Sequence, residues 1–87
     1  MSESNLTRQV VAWLRTQNVF FWKTADKFTS GIPDLIISKQ GQFIAIELKI
    51  ERGRVSKIQQ ATLDKIIQSG GKAYVCRTLD EVKHIMR

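Results

Sequence analysis

Asp34, Glu47 and Lys49 are the residues whose types and spacing could do chemistry in this chain. They sit in the stretch 31–49, GIPDLIISKQGQFIAIELK, where two apolar runs flank the short polar segment Ser38-Lys39-Gln40-Gly41. Such a pattern predicts a β-hairpin. With Gln40-Gly41 as the loop, Lys39 pairs with Gln42 and Asp34 falls directly opposite Glu47. Lys49 lies two residues further on and shares the face of Glu47. Opposed β-carbons approach to roughly 4.5–5.5 Å, where like charges repel, and Asp is a poor strand former. A divalent cation between the two carboxylates reverses the sign of that interaction. Oxygen-rich sites of this kind suit magnesium or manganese. The competing reading has Asp34 capping the strand and Glu47 paired with Lys49 on a wet face. Register decides between them, because a slip of one residue sends Asp34 to the other face.

The elements that must hold these groups can be read on either side. Residues 3–17 carry Leu6, Val10, Trp13 and Leu14 at helical spacing, with Ser2 or Ser4 as cap, Glu3 in the first turn and Asn18 as terminator. Val19-Phe20-Phe21-Trp22 reads as a buried strand whose aromatics serve a core or a subunit interface rather than base stacking. Lys23 to Ser30 is polar and irregular, and Gly31 and Pro33 set the entry into the hairpin. A basic loop with a glycine, Ile50 to Arg54, leads to a helix over 55–69 that Ser56 can cap and Gly70-Gly71 ends. Its inward stripe is Val55, Thr62, Leu63 and Ile66, with Gln59 in the middle. That glutamine must satisfy a backbone group or face the carboxylates. A strand at 73–76 and a helix capped by Thr78 close the chain. The order is α-β-β-β-α-β-α, an α/β sandwich around a small mixed sheet. The strand at 73–76 follows a crossover helix and runs parallel to 43–49.

Composition bounds the rest. The chain of 87 residues is expected to be a single domain over 1–87, near the lower end of what folds alone. Its net charge of +6 favours an anionic partner such as nucleic acid. One cysteine, Cys76, excludes an internal disulfide and a cysteine zinc cluster. No run reaches transmembrane length and the N-terminus lacks a signal-peptide apolar stretch, so no membrane association and a cytoplasmic location are expected. His84 reads as a surface residue.

Pro33-Asp34 followed by Glu47-Leu48-Lys49 resembles the PD-(D/E)xK nuclease signature. The run FIAIELKIERGRVSKIQQATLDKI is similar to the VRR-NUC family, with Arg52, Gly53, Ser56 and Gln59 at the places of its basic glycine loop, serine and helix glutamine. GGKAYVCRTLDEV is similar to the family's closing strand and helix. The resemblance covers nearly the whole chain. It implies a restriction-endonuclease-like core and metal-dependent hydrolysis of phosphodiesters. Asp34, Glu47 and the backbone carbonyl of Leu48 would hold Mg2+ or Mn2+, joined by Glu3 where such families carry a glutamate on the first helix. Glu3 also reads simply as a helix N-terminal acid favoured by the dipole. Lys49 would act on water or on developing charge, and Gln59 would position water or phosphate. Lys23, Lys27, Arg52, Arg54, Ser56 and Lys57 would meet the DNA backbone.

A chain this small has little surface from which to read bases. Substrate choice then comes from DNA shape or from symmetry, and small freestanding members of the family look like dimeric enzymes acting on Holliday junctions. The aromatic inventory of the first third, Trp13, Phe20, Phe21, Trp22 and Phe28, also points to a homodimer. Other readings are a DNA-binding module of the same fold with little cleavage alone, or a nuclease acting on restriction, flap or RNA substrates.

Overall fold

Alternation in the chain first shows itself in the hairpin of β2 (Leu35–Lys39) and β3 (Gln42–Leu48). Gln40 and Gly41 both have positive φ, 51° and 77°, the twist that a two-residue hairpin turn requires. Lys39 pairs with Gln42 and Leu35 with Ile46, as the sequence predicts. β1 (Phe20–Lys23) adds antiparallel to β2, and β4 (Lys72–Cys76) adds parallel to β3. The sheet order is β1-β2-β3-β4, with helices α1 (Glu3–Leu14), α2 (Lys57–Gln68) and α3 (Leu79–Ile85) around it. This computed structural model describes residues 1–25 and 29–87. Lys27 and Phe28 lie outside the described residues.

The register sorts the sheet into two faces. Leu35, Ile37, Ile44, Ile46, Leu48 and Cys76 share one face and pack with Leu6, Val10 and Leu14 of α1 and Val82 of α3. Cys76 is buried in this core, and that burial, with Glu81 adding to the effect, pushes its thiol pKa up to about 12. Phe43, Ala45 and Glu47 point to the opposite face, where α2 packs on β4 and buries Leu63. Ala45 and Glu47 are therefore enclosed although they do not belong to the main core.

Several boundaries move. The first helix stops at Leu14 rather than running to 17, with Arg15 as its C-cap. Thr16 and Gln17 donate backbone bonds to the carbonyls three residues back, tightening the chain into turns before Asn18. The second helix starts at Lys57, because Ser56 accepts the Gln59 N–H as N-cap. The aromatic strand is not buried. β1 is an edge strand covered on one face only: Phe21 packs on the core, whereas Phe20 and Trp22 remain 68% and 62% exposed. Trp13 also packs on the core. Apolar content alone does not say whether a strand has a helix on each side.

Candidate metal and nuclease site

Asp34 immediately precedes β2 and Glu47 is the penultimate residue of β3. The β2–β3 register carried one step further puts them opposite each other. The Asp34 side chain closes that step itself. Its Oδ2 accepts the backbone N–H of Leu48 at 2.8 Å, so one carboxylate oxygen is fixed by the sheet. The segment behind it is also tied down. Thr24 donates its backbone N–H to the Asp34 carbonyl at 2.9 Å and its hydroxyl to the Pro33 carbonyl at 2.6 Å. Gly31, at φ 83°, lies so close to α2 that a Cβ there would meet Ile58 Cγ2 at 2.5 Å. Only glycine permits that approach.

Glu47 is 2% exposed, which overturns the wet-face reading. Among the described residues its Oε2 is a buried polar atom without a hydrogen-bond partner. Burial pushes its carboxyl up to about 8; the adjacent Asp34 carboxyl and, more weakly, Glu3 add to this, while Lys49 opposes it. An enclosed carboxylate with an orphan oxygen is costly on its own. A hard cation beside it would supply the missing partner and positive charge, and the oxygen donors of Asp34 and Glu47 are of the kind that suits Mg2+ or Mn2+. Among the described residues no three His, Cys, Asp or Glu side chains converge at ligating distance. Asp34 and Glu47 are thus a pair, which is how magnesium is commonly held, with water completing the shell.

The remaining predicted residues gather around this end of the sheet to different degrees. Glu3 lines a cleft of about 350 Å³ with Asp34, Lys23, Thr7 and Arg8, and its charge reaches Glu47. Lys49 lies close enough to Glu47 to favour its ionised form. Gln59 resolves the question its place in the stripe poses: its Oε1 accepts the Ser56 N–H at 2.9 Å while Ser56 Oγ accepts the Gln59 N–H at 3.1 Å. This capping box satisfies a backbone donor and holds both side chains at the start of α2. Arg52, Arg54 and Lys57 are exposed along the loop and first turn that follow β3. Lys27 lies outside the described residues.

Three residues were not legible as part of the site. Arg8 shares the cleft with Asp34; its helical position gave a signal only once α1 was placed. Thr24 fixes Pro33-Asp34, and nothing in its local sequence announces that. Arg77 donates from Nη1 to three carbonyls of the loop after β3, those of Ile50, Glu51 and Gly53. Among the described residues no helix is long and apolar enough to cross a membrane.

Comparison with known proteins agrees with this fold. Two solved structures superpose on nearly the whole chain. One, titled "VRR_NUC domain", has a TM-score of 0.81 at 17% identity and covers 97% of this chain and 92% of its own. The other, "VRR_NUC domain protein", has a TM-score of 0.84 at 18% identity and covers 99% of this chain and 85% of its own. At such identities the likeness shows the fold. No curated protein matches the chain. The VRR-NUC domain model matches residues 1–79, and the chain belongs to the VRR-NUC family, a family of nucleases.

Proposed function

We propose that this protein is a metal-dependent endonuclease that hydrolyses phosphodiester bonds in branched DNA such as Holliday junctions, working as a homodimer. The observation that carries the reading is the buried Glu47 oxygen without a partner, beside Asp34 and Lys49 and next to a cleft that brings Arg8 and Lys23 to Asp34. Asp34, Glu47 and the Leu48 carbonyl would hold Mg2+ or Mn2+, which when bound polarises the phosphate and acidifies water. Asp34 is pre-set for this because the Leu48 N–H already fixes one of its oxygens. The Lys49 ammonium steadies charge developing on the phosphate or orients the attacking water. The Gln59 amide group, steered by its bond to Ser56, positions water or phosphate. Lys23, Arg52, Arg54 and Lys57 bind the DNA backbone without reading sequence. Shape and two-fold symmetry then select the substrate.

The test is cleavage of a panel at equal concentration: four-way junction, flap, plain duplex and RNA, each with Mg2+ or Mn2+. The four-way junction is expected to be cut best, and Asp34→Asn to abolish cutting while the fold and most DNA binding persist. Wild-type turnover by folded, metal-replete Asp34→Asn protein would overturn the site. Preference for another member of the panel would overturn the substrate, and junction binding without cleavage by the wild type would leave a DNA-binding module.

A further inference from the structure

We propose that Arg77 is a positioning residue for Lys49, acting through the turn 50–53; the inference rests on the reading of Lys49 as part of the hydrolytic site. Arg77 follows β4, and its Nη1 donates to the Ile50 carbonyl at 2.8 Å and the Gly53 carbonyl at 2.7 Å, with a longer contact of 3.4 Å to Glu51. The Gly53 N–H donates to the same Ile50 carbonyl at 2.9 Å. The guanidinium thus ties both ends of the turn together. The turn in turn lies along Lys49. A Cβ added to Gly53 would stand 3.3 Å from Lys49 Cβ and 3.4 Å from its Cδ, so the glycine is a wall for the aliphatic stem. The backbone of Lys49 is held by the neighbouring residue of the same strand end, through its N–H to the Cys76 carbonyl at 3.1 Å.

Consecutive residues of β4 and its exit therefore fix Lys49 twice, once by main chain and once by the turn against its stem. A lysine stem has many rotamers and loses conformational entropy when one is fixed. A working ammonium needs most of that freedom removed before the reaction. Arg77 would otherwise be taken for one more phosphate contact in a basic chain. The geometry distinguishes the roles, because Nη1 is committed to loop carbonyls.

The experiment uses the full chain and the variants Arg77→Ala, Gly53→Ala, Lys49→Ala and Lys49→Ala/Arg77→Ala. Single-turnover cleavage of a saturating four-way junction with Mn2+ is read beside DNA affinity. Protein labelled with 13C-lysine gives the Lys49 Hε resonances without metal or DNA. Arg77→Ala is expected to slow cleavage about tenfold or more, with affinity held within about twofold, since the positioning role leaves the rim intact. It should have no further effect on the Lys49→Ala background. The Lys49 Hε pair should be inequivalent in the wild type, collapse in Arg77→Ala and shift in Gly53→Ala. Additive rate losses, or a drop in affinity with the rate at saturation unchanged, would overturn the proposal. Should the wild type cut no substrate, the proposed function fails, while the lysine resonances still decide the tether: unmoved in both variants, they end it. If Arg77→Ala fails to fold, Gly53→Ala and Arg77→Lys carry the same measurements.

Discussion

A carboxylate at 2% exposure, with one oxygen unpartnered, gives up hydration that the protein alone does not replace. Glu47 responds by holding its proton: its folded value of about 8 lies above the ordinary 4.5 of an unfolded chain. Between those values the folded protein binds a proton that the unfolded chain has released. The Glu47 contribution to stability is therefore fully present below about 4.5 and is lost as pH rises through about 8. Thermal melts of metal-free protein between pH 5 and pH 8 should show the decline. Glu47→Gln should flatten it and melt higher than wild type at pH 8, where a gain of about 1 kcal/mol is worth about 4–8 °C. Added Mg2+ or Mn2+ should stabilise the wild type at pH 8 and leave Glu47→Gln unmoved. A mutant with the same pH slope as wild type would mean that Glu47 carries no such burden.

At the scale of elements, the entry to β2 governs where Asp34 stands. Gly31 combines a left-handed φ of 83° with a Cβ position that would sit 2.5 Å from Ile58 Cγ2. A side chain there meets both backbone strain and a clash with α2. Gly31→Ala is expected to destabilise by about 2 kcal/mol or more, seen as a lower urea midpoint at unchanged slope. An unchanged midpoint would show that the loop and α2 yield without cost. The hairpin was legible because its alternation, turn and charged positions specify one register, and Asp34 opposite Glu47 followed from that register alone. Thr78 and Ser56 were legible as caps for a similar reason, since capping is decided within a few residues. The exposed face of β1 was not. Phe20 and Trp22 are strongly β-forming, and whether a helix covers them depends on where α2 lies, a choice made by residues far along the chain. The tie from Arg77 to the loop after β3 was hidden likewise, because it joins segments that meet only through the parallel β3–β4 pairing.

For the whole molecule, size and the uncovered face of β1 bear on the same question. The protein measures 32 × 31 × 23 Å, less than one turn of B-DNA at about 34–36 Å. On the proposed junction substrate one copy would serve one strand, and two related strands would call for two copies. Phe20 and Trp22 share their sheet face with Ile36 and the 47% exposed Phe43. Of the aromatics that point to a dimer, Phe20 and Trp22 are open to a partner, whereas Trp13 and Phe21 pack against the core. Sedimentation equilibrium at micromolar concentration should give a species near twice the 10.0 kDa chain mass. Phe20→Ser with Trp22→Ser should return it to a folded monomer. A wild-type protein that sediments as a monomer and still cuts junctions would end the dimer.

The neighbours of β3 differ in how far along the chain they lie. β2 joins it through Gln40-Gly41, whereas β4 reaches it only after the basic loop and all of α2. Closing the short loop costs less chain entropy than closing the long one. The order of assembly is thereby biased: Asp34 and Glu47 meet while the hairpin is still open to water, and their enclosure comes with α2 and β4. During synthesis the bias has the same direction, because the hairpin leaves the ribosome before the crossover does. The site's pairing is an early, local event, and its dryness is a late, global one.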